Sequence, residues 1–183
     1  MLELLLKGGW LIWPIALCSV LALALTLAKY LQLRQALAEL KPGPEALMAA
    51  RPALYAPLLD AIAQGQNDAR LSLVATRIIR ELERGMGSLH LISITAPLLG
   101  LTGTVTGMIL AFQTIAAAES QVSPSMLAGG VWEALLTTAA GLVVAIPTQV
   151  AHHYLDQRIN EIALMLKETA SALDPSQDSG HGN

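Results

Sequence analysis

Three stretches of the chain carry no Asp, Glu, Lys or Arg: between Lys7 and Lys29, between Arg84 and Glu119, and between Glu133 and Asp156. Each is longer than the roughly 20 residues that a helix needs to cross the hydrocarbon core of a bilayer. Burying three such helices in water would require a polar shell around them. Only 14% of the 183 residues are charged, against 54% apolar, and the mean hydropathy is +0.53. A chain of this size cannot wrap three apolar helices in its own polar surface. In lipid a helix satisfies its own backbone groups. The pattern therefore predicts an all-α integral membrane protein with transmembrane helices at 10–31, 89–115 and 131–154.

The single cysteine, Cys18, lies inside the first span and excludes a disulfide framework or a cysteine metal site within one chain. ALALTLAKY (Ala22–Tyr30) contains an A-x-A, as a signal-peptide cleavage site would. The apolar run is too long for that, and the basic residues follow it, so the segment reads as a retained anchor.

Positive charge is segregated. The segment 32–88 with its flanks and the tail beyond the third span hold Lys29, Arg34, Lys41, Arg51, Arg70, Arg77, Arg80, Arg84, Arg158 and Lys167, whereas the opposite side holds Lys7. The positive-inside bias puts the 32–88 segment and the C-terminus in the cytoplasm and the N-terminus outside. Trp10, Trp13 and Tyr30 mark the ends of the first span, and Trp132 and Tyr154 those of the third, as interfacial aromatic belts do. Residues 1–9 are expected along the outer interface, 116–130 as an outer loop, and 174–183 as a disordered tail.

Within the 32–88 segment, KPGP (Lys41–Pro44) predicts a loop, with short helices broken by Pro52 and Pro57. Asn67-Asp68 reads as the N-cap of a longer amphipathic helix. Its apolar positions, Leu71, Val74, Ala75, Ile78, Leu82 and Leu89, keep helical spacing. Only Gly85 and Gly87 interrupt its path into the second span, so the pattern predicts one helix running from cytoplasm into membrane. The third span likewise continues as a cytoplasmic helix over 155–173, with Leu155, Ile159, Ile162 and Leu166 as a packing seam.

The second and third spans each have a small face and a large one. Ala96, Gly100, Gly103, Thr104, Gly107, Ala111 and Thr114 fall together, opposite Leu98, Leu101, Val105, Met108, Ile109 and Phe112. In the third span Ala134, Thr137, Thr138, Gly141, Ala145 and Thr148 share one half. Small residues allow close helix packing, and Gly100, Gly103, Gly107 and Gly141 are the expected contact points. Pro97 removes an intrahelical bond and predicts a kink or a loosened turn. The threonines suit two roles, as glue between helices or as a weakly polar lining. Glu133 sits at the edge of the small half. There it is either hydrated near the outer interface or a functional ionisable group inside the membrane, desolvated enough to trade a proton. Three spans cannot enclose a path alone, so a lining implies a homo-oligomeric ring. GLTGTVTG lacks the Lys-Ser/Thr ending of a phosphate loop, and His152-His153 point about 100° apart and chelate poorly, so no metal is expected.

APLLGLTGTVTGMILAF (Ala96–Phe112) followed by GGVWEALLTTAAGLVVAIP (Gly129–Pro147) resembles the signature of the MotA/TolQ/ExbB proton-channel family. The short form, beginning MLELLLKGGWLIWPI, is most similar to its ExbB branch. The resemblance implies an inner-membrane subunit of a proton-driven motor. It implies a homopentamer around an ExbD-like dimer in the central pore, energising a TonB-like protein for import across the outer membrane. The outer loop would then be periplasmic. By motif, Thr104 in GTVTG and Thr138 in EALLTT match pore-lining threonines, and Glu133 matches an acidic residue of the third span. Thr137 lies closer to Glu133 around the helix. The proton-carrying Asp of the family belongs to the partner helix. A TolQ-like subunit of the Tol-Pal system, for envelope maintenance, is the neighbouring alternative; a MotA-type stator has four spans. An intramembrane enzyme would need a nucleophile–base pair that Cys18 and Glu133 do not supply. No enzymatic role, cofactor or nucleic-acid partner is implied, and membrane lipids surround the ring.

Overall fold

The computed structural model describes residues 10–117 and 124–172. The expected segments at 1–9 and 174–183, and the centre of the expected loop at 116–130, lie outside the described residues. Helices account for nearly all of the rest, with no strand among the described residues. They are α1 (Ile12–Leu40), α2 (Pro44–Ala50), α3 (Ala56–Ala63), α4 (Asp68–Glu83), α5 (Met86–Ala117) and α6 (Pro124–Ala172).

Three stretches are long and apolar enough to cross a membrane: Ile12–Leu40, Ala69–Ala117 and Ala128–Ala170. At most 28% of the most apolar window in any of them is buried within the chain. Lipid or other chains must cover the remainder, because water would not tolerate that much exposed apolar surface. The 49 residues of α6 make a helix roughly 73 Å long at 1.5 Å per residue. That is more than twice the hydrocarbon thickness.

The chain divides into two compact units, Met1–Thr26 with Gly87–His152 and Leu27–Met86 with His153–Asn183. In the second, the core is built from both ends of the sequence: Leu33, Leu37 and Leu40 of α1, Leu58, Leu59 and Ile62 of α3, Leu71, Ile78 and Leu82 of α4, and Leu155, Ile159, Ile162 and Leu166 of α6. Tyr55 is fully buried among them, and its hydroxyl donates to the Ala36 carbonyl at 3.0 Å. Burial first, and then the nearby charge of Glu39, raises the pKa of this phenol well above its ordinary value. Pro44 and Pro57 each stand in the first turn of their helix, where the missing N–H costs nothing. Pro57 thus helps open α3 instead of breaking it. Arg51 closes α2 in the left-handed region at φ 43° and pairs with Asp60.

Asn67 caps α4, its side chain accepting from the Arg70 N–H at 3.3 Å. The predicted unbroken helix into the second span acquires a joint. The first helix ends at Glu83, Gly85 takes φ +93°, and a new helix begins at Met86. A β-carbon on Gly85 would meet Lys29 Cε at an ordinary 3.5 Å, so backbone conformation, not space, calls for glycine here. Lys29 Nζ donates to the Leu82 carbonyl at 3.1 Å and to Gln32 Oε1 at 2.8 Å. It thereby satisfies one of the carbonyls that the end of α4 leaves unpaired.

Candidate functional site

The residues singled out by sequence fall on α5 and α6 within the first unit. These helices approach closely because glycines face backbone or small side chains. A β-carbon on Gly100 would lie 2.9 Å from Thr138 Cα, one on Gly107 2.9 Å from Ala134 Cβ, and one on Gly141 2.6 Å from the Ala96 carbonyl oxygen. Gly103 faces Thr137, whose Cβ would be 2.7 Å from an added methyl. Gly130 completes the row against Ala111, at 2.6 Å. No side chain larger than hydrogen fits such separations without displacing backbone. The gain is dispersion between helices that have no hydrophobic reason to associate in lipid.

The small faces are thus largely occupied by one another. Ala96 and Ala111 of α5, and Ala134, Thr137, Ala145 and Thr148 of α6, are buried. On the opposite faces Leu98, Leu101, Val105, Ile109 and Phe112, and Leu135, Leu142, Val143 and Ile146, are exposed. Pro97 sits inside α5 without ending it. Its missing N–H leaves the Ser93 carbonyl without its usual partner.

The three threonines differ in what their hydroxyls do. Thr138 donates across the interface to the Gly100 carbonyl at 2.8 Å, an interhelical bond made possible by the glycine's close approach. Thr137 is buried and turns back to the Ala134 carbonyl at 2.7 Å. Thr104, one turn beyond Gly100 and half-buried, turns back to the Leu101 carbonyl at 2.7 Å. The fold therefore brings Thr137 and Thr138 together around Gly100 and Gly103, with Thr104 on the flank. Glu133, one turn before Thr137, is exposed and enters neither of the ion pairs found among the described residues. Around the helix it lies beside Ala140 and Val144, at the margin of the packed face. Among the described residues, then, Glu133 is a carboxylate without a charged partner.

Two polar contacts nearer the other end of these spans have no counterpart in the sequence reading. The Ser93 hydroxyl lies 2.6 Å from Gln149 Oε1 and 2.7 Å from the His90 carbonyl. The His90 and His152 rings lie 5.0 Å apart, tilted by 38°. The signal for both was a polar residue near the end of each apolar run, but pairing them requires the register between α5 and α6. His153, the neighbour of His152, contacts Gln157 on its own helix at 3.0 Å. Among the described residues no cluster of His, Cys, Asp or Glu has an arrangement that would hold a metal ion.

Residues 45–168, which include α3 to α5, all but the first residue of α2 and nearly all of α6, match the MotA/TolQ/ExbB proton channel family. The chain belongs to that family. As a member of a proton-channel family it is a multi-pass membrane subunit, and its chemistry is proton movement, not enzymatic turnover. It is similar to the biopolymer transport protein exbB1 of Vibrio cholerae, 34% identical over 163 residues, covering 76% of this chain and 72% of that one. It is also similar to the Tol-Pal system protein TolQ of Haemophilus influenzae, 38% identical over 92 residues, 50% of this chain and 40% of that one. The biopolymer transport protein ExbB of Neisseria gonorrhoeae is 43% identical over 81 residues, 44% of this chain and 36% of that one. The match thus spans most of the Vibrio relative and under half of the other two.

Proposed function

We propose that this proton-channel-family chain is an ExbB-like subunit of a proton-driven motor in the bacterial inner membrane. Its N-terminus is periplasmic and its C-terminus cytoplasmic. In this reading five copies form a ring around the transmembrane helices of an ExbD-like dimer, and the motor energises a TonB-like protein for import across the outer membrane. The observation that carries it is Glu133: an exposed carboxylate on an apolar helix, in no ion pair among the described residues and beside a face of small and hydroxyl-bearing residues. An ionisable group so placed needs polar company from another subunit. The similarity to exbB1 over 72% of its length supports the same reading. Thr104, Thr138 and Thr137 are its weakly polar neighbours. A proton carried by a partner's Asp passes their level, and Glu133 sets the local field. One charge falling through ~100 mV releases about 2.3 kcal/mol, enough to bias a two-state step.

The test is complementation of TonB-dependent uptake in a strain lacking the native subunit. Glu133→Gln and Glu133→Ala are expected to lower uptake at least tenfold with normal membrane levels; full uptake in both removes Glu133 from the mechanism. Thr138→Val loses both a lining hydroxyl and the bond to Gly100, whereas Thr138→Ser keeps both, so serine is expected to restore function. Thr104→Val tests the lining without touching that bond. The match to TolQ supports a second reading, a subunit of the Tol-Pal system. Rescue of envelope integrity without rescue of TonB-dependent uptake would establish that one instead.

A further inference from the structure

The second unit contains a cleft of about 310 Å³ lined by Tyr30, Arg34 and Leu37 of α1, by Lys41 just past the end of that helix, and by Tyr154 and Arg158 of α6. Positions 30, 34, 37 and 38 recur at three- and four-residue steps and so share one face of α1, and Lys41 follows directly on its end, its N–H donating to the Leu37 carbonyl at 3.0 Å. Three cations, Arg34, Lys41 and Arg158, converge on a cleft whose other walls are apolar. Among the described residues, the one carboxylate bonded to any of them is Glu161, which accepts from Arg158 Nη1 at 2.6 Å. Among the described residues neither Arg34 nor Lys41 enters an ion pair. The local balance is therefore positive.

Two further features point to a particular ligand. Tyr30 and Tyr154 are both more than 40% exposed, as expected of tyrosines at the level of lipid headgroups. Arg158 lies with its guanidinium carbon 5.0 Å from the Tyr154 ring centroid. Its Nε donates to the Tyr154 hydroxyl at 3.1 Å, which leaves the phenolic proton available to donate elsewhere. One turn back along α1, Leu27 is 58% exposed, and Leu31 is 55% exposed. The site thus offers cations and a phenol at the interface, with apolar surface on the membrane side. That is the split chemistry of a phospholipid, and basic pockets beside transmembrane helices commonly hold anionic headgroups.

We propose that this cleft binds an anionic glycerophospholipid, such as phosphatidylglycerol, from the leaflet on the basic side of the chain. The headgroup phosphate sits between Arg34, Lys41 and the Tyr154 hydroxyl, with Arg158 held behind it by Glu161, and the acyl chains lie along Leu27 and Leu31. The assignment is independent of which motor the subunit serves, because its readout is binding by the chain itself.

The experiment is native mass spectrometry of the full-length protein, with its co-purifying subunits, titrated in mild detergent. Phosphatidylglycerol, phosphatidylcholine and inorganic phosphate are compared. Phosphatidylglycerol is expected to bind at least tenfold tighter than phosphatidylcholine, with one lipid per chain. Each cation removed is expected to weaken it about fivefold, from roughly 1 kcal/mol per basic residue near an anionic surface. Arg34→Gln with Lys41→Gln then loses about 25-fold. Arg34→Lys with Lys41→Arg, which keeps the charge, retains binding, as does Arg70→Gln with Arg80→Gln on α4. Equal binding of the two lipids overturns the proposal, and so does undiminished binding by the Arg34→Gln, Lys41→Gln protein. Displacement of the lipid by inorganic phosphate at matching concentration would make this a free-anion site and would equally overturn it.

Discussion

Tyr55 concentrates several effects in one side chain. Its ring is fully buried and its hydroxyl donates to the Ala36 carbonyl on another helix. Tyr55→Phe keeps the ring and removes the bond, so it is expected to lower stability by about 0.5–1.5 kcal/mol in thermal or denaturant unfolding. The same group makes a pH prediction. Its pKa in the folded state is raised, first by burial and then by Glu39. The fold therefore holds the neutral phenol more firmly than the unfolded chain does. That contribution is intact below the unfolded phenol pKa of about 10 and is lost as pH rises above it. Tyr55→Phe should flatten the loss of stability above about pH 10; an unchanged alkaline profile would assign it to other groups.

At the scale of elements, the glycines of α5 and α6 are not equivalent. A β-carbon on Gly141 would press on the Ala96 carbonyl at 2.6 Å, whereas one on Gly129 meets nothing within 4 Å. Gly141→Ala is expected to cost about 1–3 kcal/mol, since rigid backbone would have to give way. Gly129→Ala, on the same helix, is expected to be neutral or to stabilise by up to about 1 kcal/mol through helix propensity. Unfolding in detergent followed by far-UV circular dichroism distinguishes the two. Much of this was legible beforehand. Three charge-free runs gave the spans, and Asn67 gave the cap. Less legible was whatever depends on how two helices are set against each other. Thr138 reads as a lining or gluing residue until the Gly100 carbonyl is placed 2.8 Å away. Gly85 and Gly87 look alike in sequence, yet only Gly85 takes a positive φ. The bond beside that joint was equally hidden, because Lys29, which ties down the end of α4, lies far off in the chain.

For the whole molecule, the exposed leucine, valine and phenylalanine faces of the three spans require cover. The proposed ring supplies part of it and lipid the rest. Native mass spectrometry of the chain co-expressed with an ExbD-like partner is expected to give five copies to two; a stable monomer carrying one partner helix would dismiss the ring. The interlocked glycines of α5 and α6 also limit how any such machine can move. Turning α5 about its own axis by one residue position would swing its glycines round by about 100° and drive leucines towards the backbone of α6. In the observed register five glycines mesh at once: Gly100, Gly103, Gly107, Gly130 and Gly141. In the proposed motor such a pair would behave as a single gear tooth, with any turning taken up along its greasy outer flanks.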